Sequence, residues 1–81
     1  MKIKVLGPGC MNCKVLHETT QQALAEAGIQ ADLEYIQDMN EIGKYDIFAT
    51  PGLVIDGEVV HQGKPLPNGE KIRSWIESRA K

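Results

Sequence analysis

The sequence predicts an α/β fold: a mixed four-stranded sheet with helices on both faces, in the order βαβαββα. Three observations carry that expectation. The chain opens with a short apolar strand, a Gly-Pro-Gly break and a long amphipathic helix leading into a second strand. That is a βαβ unit, which requires a parallel pair joined by a right-handed crossover. In the second half, Asp56-Gly57 separates two apolar runs and marks an antiparallel hairpin, since a type I′ turn needs positive φ at both positions. An apolar-faced helix then closes the chain. Both halves fit in one sheet only if it is mixed and covered on both sides.

The elements follow in order. Residues 2–6 form a strand with Ile3 and Val5 on one face and Leu6 on the other. Gly7-Pro8-Gly9 ends it. A helix runs from about Cys10 to Ala27, with Leu16, Thr20, Ala23, Leu24 and Ala27 recurring at helical spacing as one buried stripe. Gly28 stands where a left-handed C-terminal cap is expected. Residues 30–36 read as the second strand, with Ala31, Leu33 and Tyr35 on one side and Ile36 at its end. Asp38, with Glu41 three residues on, gives a capping-box pattern for a short helix reaching about Lys44. Leu53-Val54-Ile55 is apolar at every position, as a strand covered on both faces must be. Glu58 to Gln62 is the returning strand, Gly63 to Pro67 a loop, and Asn68 caps a last helix facing inward through Ile72, Trp75 and Ile76.

The bulk numbers narrow the class. Length alone, 81 residues, fits a single domain spanning 1–81. Hydrophobic residues at 42% and charged residues at 25% are those of a folded chain. A net charge of -2 argues against a nucleic-acid surface. No apolar stretch approaches the roughly 20 residues that span a bilayer. The start of the chain is a poor signal peptide, because Gly7-Pro8-Gly9 cuts its apolar segment short. The expectation is a cytoplasmic protein with no membrane and no nucleic-acid partner, and a monomer.

Both cysteines lie in Cys10-Met11-Asn12-Cys13. They close too small a loop to staple the fold, because the entropic gain from closure grows with loop length. In a cytosolic chain such a pair reads as catalytic or metal-binding. Placed at a helix start, Cys10 meets unpaired backbone N–H groups and the positive end of the helix dipole. These favour thiolate, which is the nucleophilic form. Cys10 is then the attacking residue, and Cys13, one turn inside, resolves the mixed disulfide. The pair follows a strand and a Gly-Pro-Gly break and opens an amphipathic helix. That context favours redox chemistry.

The stretch Gly7-Pro8-Gly9-Cys10-Met11-Asn12-Cys13-Lys14, with Thr50-Pro51-Gly52-Leu53-Val54-Ile55-Asp56-Gly57 downstream, resembles the thioredoxin/glutaredoxin superfamily. It is most similar to the small archaeal and bacterial redox-active disulfide proteins, a glutaredoxin-sized branch of thioredoxin-like proteins. The resemblance covers essentially the whole chain. It implies a thioredoxin-like fold and a thiol–disulfide oxidoreductase acting on protein disulfides. It implies a cis-proline at Pro51 packed against the disulfide, and pairing of the Thr50 backbone with an extended substrate. It also implies no cofactor beyond the Cys10–Cys13 redox disulfide, and electrons from a reductase of the thioredoxin reductase type. Met11 and Asn12, between the cysteines, contact substrate or tune the potential.

This chain also departs from its larger relatives. Gly9 replaces the aromatic residue that precedes the first cysteine in thioredoxins, and no proline stands between the cysteines. The buried acid of thioredoxin falls on Lys4. A cation there favours thiolate, although the plainer reading is a solvated strand residue. The glutathione-binding segment of glutaredoxins is replaced by Gly63-Lys64-Pro65-Leu66-Pro67-Asn68.

The competing reading is a soft-metal carrier. Two thiolates suit Cu(I), and a Gly-x-Gly-Cys-x-x-Cys start followed by a helix also resembles a heavy-metal-associated domain. That fold ends in a strand, whereas this chain ends in a hairpin and a helix. A zinc site needs four ligands, and the pair supplies two. His17, four residues after Cys13, is read as a partly exposed helix residue rather than a ligand. His61 is read as a surface residue, Trp75 as core. Tyr45 and Phe48 either line a substrate groove or pack in the core.

Overall fold

Each predicted element forms, in the predicted order. The computed structural model describes residues 1–79; the last two residues of the expected 1–81 domain lie outside the described residues. The strands are β1 (Lys2–Leu6), β2 (Asp32–Ile36), β3 (Gly52–Ile55) and β4 (Glu58–Gln62), and the helices α1 (Met11–Ala27), α2 (Met39–Ile42) and α3 (Gly69–Arg79). The sheet order is β2-β1-β3-β4. β1 and β2 are parallel, with Val5 opposite Tyr35. β1–β3 and β3–β4 are antiparallel.

Two apolar layers sandwich this sheet. On one face Ile3, Val5, Leu53 and Ile55 pack against Leu16, Ala23 and Leu24 of α1 and against Ile72 and Ile76 of α3. On the other, Leu6 and Val54 pack against Ile42 of α2, with Ile36, Tyr45 and Ile47 around them. β3 therefore needs an apolar side chain at successive positions, and Leu53, Val54 and Ile55 are all buried. Each such side chain contributes about 1.5–3 kcal/mol relative to exposure.

The helix ends follow the local signals. Gly28 closes α1 at φ 67°, and its N–H donates to the Ala25 carbonyl. Asn68 Oδ1 accepts from the Lys71 N–H at 2.8 Å. At the hairpin, Asp56 has φ 49° and Gly57 φ 84°. Among the described residues no helix is long and apolar enough to cross a membrane.

Four expectations need correction. β2 begins at Asp32, not residue 30, because pairing with β1 starts at Lys2 opposite Asp32. α2 ends at Ile42 rather than Lys44. Asp38 caps it through the Asn40 N–H at 2.9 Å. Glu41 instead pairs with Lys44 at 3.0 Å, and that use of its carboxylate replaces the return half of the capping box. Ala27 is only half-buried at the end of the α1 stripe.

The fourth correction concerns His61. The register slips between Leu53 and Val54: Val54 pairs with Val59, but Leu53 pairs with His61. This bulge sets His61 opposite Leu53, on the face covered by α3. There it is half-buried and stacks on Trp75 at 6.2 Å between ring centroids. Strict alternation counted from the hairpin would have set it on the opposite face, with Val59.

Candidate active site

The site is assembled where β1 runs into α1. The Gly7 N–H donates to the Ile36 carbonyl at 3.0 Å, extending the β1–β2 ladder one step beyond the strand. Gly9 then turns at φ 98°, a value a side chain would strain. Cys10 is the N-cap of α1, and its carbonyl accepts the first helical bond, from the Lys14 N–H at 3.1 Å.

Cys10 and Cys13 form a disulfide, with 5.1 Å between their α-carbons. The Cys13 N–H points at Cys10 Sγ, 3.2 Å away. A thiolate at Cys10 would therefore receive a backbone donor as well as the helix dipole. The two sulfurs differ in access. Cys10 is exposed, while Cys13 is fully buried under the sheet–helix junction. Of the two sulfur-bearing residues, only Cys10 is open to solvent.

Pro51 is the second wall. It is buried at the start of β3, and its preceding peptide bond is cis. Its carbonyl accepts from the Gly63 N–H at 2.9 Å. A β-carbon built on Gly7 would lie 3.8 Å from the Pro51 Cβ and 2.9 Å from the Cys13 Cβ. Gly7 thus sits between the disulfide and the proline. Thr50 is half-buried beside them, Met11 is 78% exposed, and Asn12 is half-buried. The structure therefore brings together the two sequence-separated signals, the cysteine pair and Thr50-Pro51.

Other candidates settle elsewhere. His17 stacks on Tyr35, 5.1 Å between ring centroids. Lys4 is tied through Nζ to the Tyr45 hydroxyl at 3.0 Å and lies 5.7 Å from the centre of that ring. Its ammonium is held above the usual lysine range, first by that hydrogen bond and then by charge interaction with Tyr45. Tyr45 is half-buried in the α2 layer, but Phe48 is 94% exposed and takes no part in the core. Among the described residues no three His, Cys, Asp or Glu side chains converge to hold a metal ion. Sequence reasoning missed the packing role of Gly7, for which its place next to the motif was the available hint. It also missed Gln62, whose Oε1 accepts from the Phe48 N–H at 2.6 Å; nothing in a polar strand end signals that.

An exposed and a buried sulfur joined at a helix start, on this sheet, are suited to two-electron exchange with another disulfide. The class so defined is that of thioredoxin-like thiol–disulfide oxidoreductases. Comparison with known proteins narrows it. A family model described as a thioredoxin domain matches residues 1–77. The thioredoxin of Methanothermobacter thermautotrophicus is 41% identical over 76 residues, covering 94% of this chain and 97% of that protein. The thioredoxin of Methanocaldococcus jannaschii is 36% identical over 76 residues, covering 94% of this chain and 86% of that one. The chain belongs to the thioredoxin family. Protein disulfides as substrates and a reductase as electron source follow in general terms from that membership.

Proposed function

We propose that Cys10 is the nucleophile and Cys13 the resolving residue of a protein-disulfide reductase. The observation that carries this is the difference in access: Cys10 is exposed at the helix cap and Cys13 is buried behind it. In the reduced protein the Cys10 thiolate attacks one sulfur of a target disulfide. A Cys10–target bond forms, the target S–S bond breaks, and the departing thiolate takes a proton. Cys13, deprotonated, then attacks Cys10 Sγ. The second target thiol leaves with a proton and the Cys10–Cys13 disulfide closes. Two electrons and two protons have moved to the target.

Thr50 and Pro51 form the strip along which an extended target segment lies, the Thr50 backbone pairing with it, and Met11 and Asn12 meet it from the helix side. The proximity of Pro51 to Gly7 and Cys13 supports this reading. A reductase of the thioredoxin reductase type restores the dithiol. The protein works as a monomer in the cytoplasm, where thiols are kept reduced, and residues 1–81 form one domain.

The test is disulfide reduction with single-cysteine variants. Cys10→Ser should abolish reduction of a model protein disulfide such as insulin. Cys13→Ser should stall as a covalent Cys10–target adduct, visible by mass. Adduct formation through Cys13 instead, or a wild type that never closes its own disulfide against a dithiol buffer, would refute the assignment.

A further inference from the structure

The short stretch before Pro51 is fastened at both ends by the end of β4. Gln62 Oε1 accepts from the Phe48 N–H at 2.6 Å. The Gly63 N–H donates to the Pro51 carbonyl at 2.9 Å. Gly63 is itself tied back, its carbonyl lying 2.9 Å from His61 Nε2. Its α-carbon faces Ala49 so closely that a β-carbon would stand 3.0 Å from the Ala49 Cβ. Residues 48–51 are therefore not a loose loop but a strip stapled to β4.

The staple has a consequence for Phe48. With its backbone fixed, its ring stands outside, 94% exposed, although the α2 layer lies close by. Phe48, Met39, Ile42, Ile47 and Thr50 line a groove of about 400 Å³. No lining side chain is charged. Along the chain the lining residues are flanked by exposed Asp46 and by the exposed Glu41–Lys44 pair. A lining without charged side chains suits the core of a recognition patch. Thr50 lines this groove and directly precedes Pro51, so the groove adjoins the Thr50-Pro51 strip.

We propose that Gln62 is a positioning residue that holds Phe48 over this groove, and that Phe48 selects target polypeptides carrying an apolar side chain beside the attacked cysteine. This rests on the reading of Thr50-Pro51 as the substrate strip. Fixing the Phe48 backbone in advance spares part of the ordering cost that a loose segment would incur on binding. The occupant is the target chain itself, because Thr50 belongs both to the groove and to the strip beside the disulfide.

Two synthetic peptides test this, each with one intramolecular disulfide and differing only in Leu or Ser next to the attacked cysteine. The reduced protein is recycled with dithiothreitol and kcat/KM is measured for each. Wild type should favour the Leu peptide about tenfold, in the range a hydrophobic contact supplies. Phe48→Ala should bring the ratio close to one, mainly through KM. Gln62→Leu, which removes the acceptor, should narrow the ratio about fivefold. Gln62→Glu keeps an acceptor oxygen for the Phe48 N–H and should restore it. A ratio unchanged in Phe48→Ala, or a Gln62→Leu that slows both peptides equally, overturns the proposal. A concentration-dependent dimer abolished by Phe48→Ala would give the patch to a second copy and overturn it too. If wild type reduces neither peptide, the reading of the site itself fails; if it reduces both equally, only this inference does.

Discussion

Gly7 and Cys13 are in such close contact that any β-carbon on Gly7 would fall onto the Cys13 sulfur and 2.9 Å from its β-carbon. The φ of Gly7 is not positive, so the requirement is for space, not for an unusual backbone. Gly7→Ala must therefore push either α1 or Cys13 aside. Overpacking of this kind costs about 1–3 kcal/mol. The expected outcome is a lower urea midpoint together with a changed Cys10–Cys13 redox equilibrium against a dithiol buffer. A variant with both unchanged would show that the helix start yields freely.

Tyr35 presents the opposite case. Its hydroxyl is buried and finds no hydrogen-bond partner among the described residues. A buried donor left unmatched costs about 1–3 kcal/mol, whereas the ring earns its place by stacking on His17. Tyr35→Phe keeps the ring and removes the unmatched group. Stability in urea should stay level or rise by about 1 kcal/mol. A loss of that size would reveal a partner for the hydroxyl in solution.

Lys4 and Tyr45 make a linked pair. The hydrogen bond to Tyr45 raises the Lys4 pKa above its ordinary 10.5. A raised folded-state value means the pair's contribution is fully present below the ordinary value and fades as pH climbs through the folded one. Tyr45→Phe should lower the Lys4 titration, followed by NMR of its side-chain carbons. The stability difference between the two proteins should stay constant through neutral pH and shrink only in alkaline solution. An unmoved titration would mean the bond is not formed in solution.

Asn68 holds the first turn of α3 through the Lys71 N–H. Asn68→Ala should cost about 1 kcal/mol in urea unfolding. Asn68→Gly should cost only a few tenths, since glycine is a tolerated cap. Equal losses in the two variants would point to contacts of the Asn68 side chain other than the cap.

Features that depend on neighbours along the chain are legible in the sequence. The α1 stripe, the Gly28 cap, the Asp56-Gly57 turn and the Asn68 cap are all local signals, and each stands where its residues put it. So does the pairing of Cys10 with Cys13, because three residues of spacing at a helix start suffice to close a disulfide. Features that depend on register emerge only when the strands pair. The bulge opposite Leu53 turns His61 inward to Trp75, and no strand pattern announces a bulge. The contacts of Lys4 with Tyr45 and of Gln62 with Phe48 join residues 41 and 14 positions apart. Gly7 reads along the chain as a strand breaker, and only packing of α1 against the sheet shows that it makes room for the sulfur. Local propensity fixes which element a residue joins; which partner it meets across the sheet is set by the pairing of strands, which no short stretch encodes.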